Sequence, residues 1–346
     1  MATNSKSLTN SAFGCTLLFC ATVGLSQANE VVLYTADGLG DFYDKVVPAF
    51  ERETGIRVVK VTGGSGAVVN RLEAQRNNTK ADLVVTLPPF IQQARDKGLT
   101  QAYISTHDKA IPDSNKAKNG DFYVLMNNYF AFIHNPNLTP TPPKHFTDLL
   151  DTKLRGEIAY SNPLTAGDGM ALITLLNKIM GEQKAFAFLE KLEPNVKFHT
   201  QGTGSLDVMV SRGEIKIANG DLQMDLTDEF QGGLSIDPFF LSIKGQKPVT
   251  FQLPRFVAMV KGAPNKENGE KFLNYLLSKQ AQVHTLDVFG LPSRDDVPLK
   301  GKHGEKLQSL LNDAQIVDIN WNHVIKQQAA WEKKWQNSVK NASLRQ

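Results

Sequence analysis

Glycines flanking a hydroxyl residue recur where an extended run gives way to a helical one. They form Gly63-Gly64-Ser65-Gly66 and Gly202-Thr203-Gly204-Ser205, and a third turn of the same kind holds Ser161, Asn162 and Thr165. Hydroxyls and the unbonded first amides of a helix are fixed donors, and the helix macrodipole adds partial positive charge. Strand, glycine turn and helix start therefore make a seat for a tetrahedral oxyanion without a buried lysine. Any one of these turns is an ordinary connection, with Ser65 capping its helix. Their recurrence is what suggests a site. Carboxylates stand beside them: Asp37, Asp168 and Asp221. A site for an inorganic anion alone would exclude negative charge, since like charges repel strongly at low dielectric. Carboxylates next to anion seats suit a zwitterion whose other end is cationic. Asp168, in TAGDGMA, reads better as a helix cap, which leaves Asp37 and Asp221 as partners for the cation.

Catalytic patterns find little support. Residues 63–67 fail G-x-S-x-G because Ala67 closes the motif, and G-x-x-x-x-G-K-[ST] is missing. Histidines 107, 134, 145, 199, 284, 303 and 323 show no metal-ligand spacing. Both cysteines, Cys15 and Cys20, fall in the first 28 residues, so no thiol nucleophile is expected beyond them. No metal and no cofactor is expected. Trp331 and Trp335, one helical turn apart, read as a packing face.

The elements that must position these residues alternate. Extended runs at 30–36, 56–62 and 81–86 are each followed by a helical pattern, at 41–54, 66–76 and 90–97. That alternation implies a parallel sheet with ligand sites outside the carboxyl ends of its strands. Thr35, Asp37, Gly64, Ser65, Gly66 and Thr86 stand at such ends. A second series (158–161, 170–180, 184–192, 196–200, 206–211 and 215–218) presents Ser161, Asn162, Thr165, Thr203, Ser205, Asn219 and Asp221. Long extended runs at 122–134 and 250–260 carry the chain from one series to the other and back. The expected fold class is α/β, with two lobes joined by two crossings that close on a ligand by hinge motion.

At 346 residues the chain exceeds the usual single domain, and 41% hydrophobic with 21% charged residues suits a soluble globular protein. A formal charge of only +3, spread along the chain, argues against nucleic acid as a partner. Residues 1–28 read as a secretory signal peptide. Lys6 is its single charge, 12–25 is apolar, and Ser26-Gln27-Ala28 offers cleavage near Ala28. The expected division is 29–127 for the first part of lobe I, 128–253 for lobe II and 254–290 for the return to lobe I. Residues 291–346 form a helical tail packing on lobe II.

The motifs YTADGL (34–39), GGSGAVVNRL (63–72), ADLVVTLPPFIQ (81–92), AYSNPLTAGDGM (159–170), ANGDLQM (218–224) and KGAPNKENGEKFLNYLLSKQAQ (261–282) cover nearly the whole mature chain. They resemble the periplasmic substrate-binding proteins of ABC importers, and specifically the 2-aminoethylphosphonate-binding group. The last motif is generic to the superfamily, whereas TLPPFIQ and ANGDLQM point to the subgroup. The resemblance implies the type II periplasmic-binding fold, a periplasmic monomer, delivery of ligand to an inner-membrane permease, and no catalysis. It agrees with the zwitterion, because 2-aminoethylphosphonate carries a phosphonate and an ammonium. Ferric-ion-binding members of the superfamily use an adjacent tyrosine pair, and none of the seven tyrosines here adjoins another. Phosphate, sulfate, thiamine or a polyamine are the alternative ligands. A secreted phosphoester or phosphonate hydrolase is the alternative class.

Overall fold

The computed structural model describes residues 1–2 and 29–341, so the expected signal peptide, beyond its first two residues, lies outside the described residues. The β-branched run that follows forms β1 (Glu30–Ala36), and the chain continues through α1 (Gly40–Thr54), β2 (Arg57–Gly63), α2 (Ser65–Ala74), β3 (Leu83–Thr86) and α3 (Phe90–Asp96). β1 pairs in parallel with β2 and with β3, so three strand ends and the following helix starts share one rim. α1 buries Phe42, Tyr43, Val46, Val47 and Phe50 at helical spacing, and Gly55 ends it in the left-handed region at φ 68°.

After the short β4 (Thr100–Gln101), the run at 122–134 divides into β5 (Tyr123–Asn127) and β6 (Phe130–His134), with Asn128 and Tyr129 between them. The next elements are β7 (Ile158–Ser161), α4 (Gly167–Met180), α5 (Glu182–Leu192), β8 (Val196–Thr200), α6 (Leu206–Ser211), β9 (Ile217–Asp221) and α7 (Leu222–Phe230). β10 (Asp237–Phe239), β11 (Val249–Thr250) and β12 (Arg255–Val260) lead to α8 (Lys266–Leu276), α9 (Lys279–Gln282) and β13 (Leu291–Pro292). The chain closes with α10 (Lys302–Asn312), β14 (Gln315–Ile316), α11 (Trp321–Lys334) and a π-helical turn at Trp335–Val339.

Two sheets organise these elements. The first runs β13-β5-β12-β3-β1-β2, with β4 also on β12, and the second runs β10-β6-β9-β7-β8. β5 lies in the first sheet and β6 in the second, so Asn128 and Tyr129 cross between lobes. β12 returns to the first sheet, antiparallel between β3 and β5. Two details differ from the sequence reading. Residues 219–221 form no turn after a strand. They continue β9, because β6 pairs along its whole length from Ile217 to Asp221. Gly220 serves this strand through space, since a Cβ there would stand 2.3 Å from Asp225 Oδ1. The second detail is Leu291–Pro292, which pairs with β5 and so belongs to the first sheet before the helical segment begins.

The tail is structural. Trp335 is fully buried, its Nε1 donates to Tyr160 Oη at 2.8 Å, and its ring lies edge-on to His199 and Tyr160. Trp331 Nε1 donates to Glu182 Oε2 at the start of α5. Among the described residues no helix is long and apolar enough to cross a membrane. Trp335→Ala is expected to lower unfolding stability by about 3–5 kcal/mol, because it opens a large cavity and strips Tyr160 of a partner. Urea denaturation followed by circular dichroism measures this, and a loss under about 1 kcal/mol would mean that the tail is not part of the core.

Candidate functional site

Asp37 follows the last residue of β1, Arg255 opens β12 and Asp221 closes β9, and the three meet between the lobes. Arg255 Nη2 donates to Asp221 Oδ2 at 2.6 Å, both residues being 1% exposed, and Arg255 Nη1 donates to the carbonyl oxygen of Asp37 at 2.8 Å. The guanidinium fork suits this double engagement in a way an ammonium does not. Asp221 Oδ1 accepts from the amide of Met224 and caps α7. The carboxylate that the sequence offered to a ligand cation is thus engaged twice by the protein itself. Arg255 is a site residue that sequence reasoning missed. Within TFQLPRFVAMV it looks like a charge interrupting an apolar strand, and nothing local says that its partner is Asp221.

The glycine turns bring the lobes into direct contact. Gly66 N donates to the carbonyl oxygen of Thr165 at 2.9 Å, and Ala67 N reaches the same oxygen at 3.4 Å. Gly204 N donates to Asp37 Oδ2 at 3.0 Å. The start of α2 is therefore occupied by a carbonyl from the opposite lobe, where the sequence suggested a seat for an anion. Gly64, not Ser65, is the N-cap of α2. It makes no side-chain cap bond, and Ser65 is the first helical residue. A Cβ on Gly64 would stand 2.3 Å from Thr165 O, one on Gly66 2.6 Å from Leu164 O, and one on Gly202 2.5 Å from Asp37 Oδ2. Bare backbone is required at all three for the lobes to approach this closely.

Beside this contact lies a polar floor from the second lobe. Ser161 N donates to Asn219 Oδ1 at 2.9 Å, and Asn219 Nδ2 and Thr203 Oγ1 both point at Ser161 Oγ, at 3.3 and 3.2 Å. Asp168 belongs here too. It sits in the first turn of α4, whose N-cap is Ala166, so the cap reading from the sequence does not hold. Its Oδ1 is buried and accepts no hydrogen bond. Burial, and then the charge of Asp221, push the Asp168 carboxyl up to about 8, against the opposing pull of Arg255. Asp37 is raised in the same way by burial, with Gly204 N and Arg255 opposing. Asp207 and Asp225 are fully buried in the second lobe, and burial holds both well above the ordinary carboxylate range. Neither stands out in the sequence, because DVMVS and MDLTD read as amphipathic helix.

Other candidate residues have structural partners. Thr35 Oγ1 bonds Ala36 O and Tyr43 Oη inside the first lobe. Thr86 Oγ1 donates to Ser65 O and ties β3 to α2. Asn162 Oδ1 accepts from Leu164 N while its carbonyl accepts from Thr165 and Ala166, so it shapes its own turn. Ser205 is exposed at the start of α6 and makes no side-chain cap bond. Ser65, Ser161, Thr203 and Asn219 remain buried around the junction, and Thr165 Oγ1 is buried without a partner. Next to the junction, a cavity of about 200 Å³ is lined by Gly38 and Gly40 of one lobe and Gly204, Met224 and Thr227 of the other. Among the described residues, no group of three or more His, Cys, Asp or Glu side chains is arranged to hold a metal ion.

Two α/β lobes, two crossings and a buried polar junction define a clamshell solute-binding protein. The chain belongs to the family of bacterial extracellular solute-binding proteins, which it matches over residues 31–283. It is 37% identical over 326 residues to a Salmonella typhimurium periplasmic protein named for 2-aminoethylphosphonate binding, covering 92% of this chain and 95% of that one. A thiamine-binding periplasmic protein of the same organism is 23% identical over 93% of this chain and 97% of its own. Among solved structures, the periplasmic binding protein AfuA of Actinobacillus pleuropneumoniae, with fructose-6-phosphate bound, superposes with a TM-score of 0.79. The identity is 21%, over 90% of this chain and 98% of that chain. The apo ferric ion-binding protein A of Pasteurella haemolytica gives 0.70 at 19% identity, over 90% and 98%. The expected α/β periplasmic-binding fold and the expected family are both borne out.

Two substitutions probe the junction. Gly64→Ala should hold the lobes apart, giving a larger radius of gyration by small-angle X-ray scattering than wild type under closing conditions; an unchanged value would refute the contact. Arg255→Met leaves Asp221 buried without its counter-charge and should cost about 3–5 kcal/mol in denaturant unfolding.

Proposed function

We propose that the protein captures 2-aminoethylphosphonate between its lobes and delivers it to the permease of an ABC importer, acting as an exported monomer without catalysis. The observation that carries this reading is the mixed polarity of the junction. Hydroxyls of Ser65, Ser161 and Thr203 stand beside Asp168, a buried carboxyl with an oxygen that accepts nothing. Donors of the first kind suit a phosphonate, and an unpaired carboxylate suits an ammonium. The name carried by the Salmonella typhimurium relative points the same way. Asp168 takes the role that the sequence reading gave to Asp221, because Arg255 already satisfies Asp221. Asp37 is the second acceptor near the amine.

Calorimetric titration of wild type and Asp168→Asn with 2-aminoethylphosphonate and with ethylphosphonate tests the reading. Wild type should prefer the amine-bearing ligand by about 2–5 kcal/mol, and Asp168→Asn should erase most of that preference. Equal binding of both phosphonates by wild type, or tighter binding of phosphate, thiamine or ferric ion, would overturn it.

A pH series gives an independent check. Burial pushes the Asp168 carboxyl up to about 8 in the folded protein, from an ordinary value of 3.8. Between those values the folded state holds the extra proton, so this group's contribution to stability falls as pH rises from about 5 to about 8. A bound ammonium favours the ionised carboxylate. Ligand should therefore flatten the fall in melting temperature and release a proton on binding. The ligand-free decline should become shallower in Asp168→Asn, the remainder coming from Asp37, Asp207 and Asp225, which burial also raises.

A further inference from the structure

Closing the lobes brings like charges together. Asp37, which follows β1, and Asp41, in the first turn of α1, belong to the first lobe. Asp168, Asp221 and Asp228 lie on α4, β9 and α7 of the second. Across the junction Asp37 Oδ2 meets Gly204 N at 3.0 Å. Gly204 also lines the cavity of about 200 Å³, to which Asp41 contributes from one lobe and Asp228 from the other. Among the described residues no Lys, Arg or His lines that cavity.

The charges around these groups leave the opposition standing. Burial raises the Asp228 carboxyl first; a hydrogen bond with Asp207 of α6 opposes, and the charges of Asp41 and Asp221 add to the rise. Asp225 of the same helix is fully buried beside Asp207 and Asp228. Other charged groups packed on α7 are engaged elsewhere. Lys306 and Asp237 act on Glu229, and His284 pairs with Asp287 at 2.8 Å. Around Asp37 and Asp168 the charges are Asp221 and its partner Arg255. The share of burial that the opposite lobe supplies exists only when the lobes meet. Parted, Asp37, Asp41 and Asp228 face water, where like charges interact weakly and each carboxyl ionises at its ordinary value. The closed arrangement therefore holds protons that the open one releases.

We propose that closure of the empty protein is linked to protons: the lobes close as pH falls and part as pH rises, with Asp41 and Asp228 as the opposed pair that sets the balance. A state holding extra protons loses population as pH climbs between the ordinary carboxylate value of 3.8 and the value of about 8 reached by Asp168. A solute enters only between parted lobes, so the same protons compete with capture. The linkage does not rest on the identity of the solute in the cleft.

Small-angle X-ray scattering of the ligand-free protein, from about pH 5 to about pH 8.5, tests this. The radius of gyration should rise with pH through a single transition. Asp41→Asn and Asp228→Asn each remove one of the opposed charges, and each should move the midpoint up by roughly 1 pH unit. Asp41 is exposed, so its replacement leaves the core intact. Asp44→Asn is the control, since Asp44 lies on the same helix but pairs with Lys60 at 3.2 Å; its midpoint should match wild type. Gly64→Ala, which holds the lobes apart, should stay large throughout. A radius that is constant or falls with pH in wild type would overturn the linkage, as would equal swelling in Gly64→Ala. Midpoints unchanged in both Asp41→Asn and Asp228→Asn would overturn the role of that pair.

Discussion

The contact on which the junction depends is the buried pairing of Arg255 with Asp221. Desolvating a guanidinium and a carboxylate is costly, and the pair holds only because each has further partners: the Asp37 carbonyl for one, the Met224 amide for the other. The arrangement fixes three elements at once. β12 is pinned to β9 across the lobes, α7 receives its cap, and the end of β1 is held beside the glycine turn of α6. Asp168, close to this pair, is raised first by its own burial and then by the charge of Asp221, with Arg255 opposing. The electrostatics of the proposed amine pocket are thus set by burial together with this neighbouring pair.

Closure is a matter of backbone as much as charge. Where the sequence suggested donors waiting for an anion, the first amides of α2 bond the Thr165 carbonyl, and the spaces that Cβ atoms would fill at Gly64, Gly66 and Gly202 hold atoms of the opposite lobe. The same residues can serve a ligand or the partner lobe, because a carbonyl oxygen and a phosphonate oxygen ask the same thing of an N–H group. Glycine-rich turns on facing lobes then act as mating surfaces, with specificity left to side chains deeper in the junction.

This explains what was legible from the chain and what was not. Alternating strands and helices, the glycine stops and the two long extended runs are local signals, and they were enough for the α/β fold, whereas the family came from the resemblance of motifs such as TLPPFIQ and ANGDLQM. Asp221 and Asp168 were noticed but misassigned: Asp221 caps a helix and pairs with Arg255, while Asp168 is a buried carboxyl in the first turn of α4 and not its cap. Each lies beside a helix start, and only the position of Arg255, 34 residues from one and far from the other, decides which is paired. Asn219-Gly220-Asp221 looked like a turn because glycine usually marks one. Here Gly220 makes room for Asp225 inside a strand. Asp207 and Asp225 were invisible, since a buried acid and a solvated one have the same place in a helical pattern.

The position of β12 also governs the order in which the molecule can be made. This strand lies inside the first sheet, between β3 and β5, yet it is the last long strand to leave the ribosome or a translocation channel. Until residue 260 has emerged, the first lobe is two unsealed halves with β3 and β5 exposing bare edges to each other, while β6 to β10 can already assemble as the second sheet. Non-local pairing of this kind slows folding. A chain held open until its final third arrives remains threadable for the length of its own synthesis, and exposes unpaired edges to aggregation for the same interval.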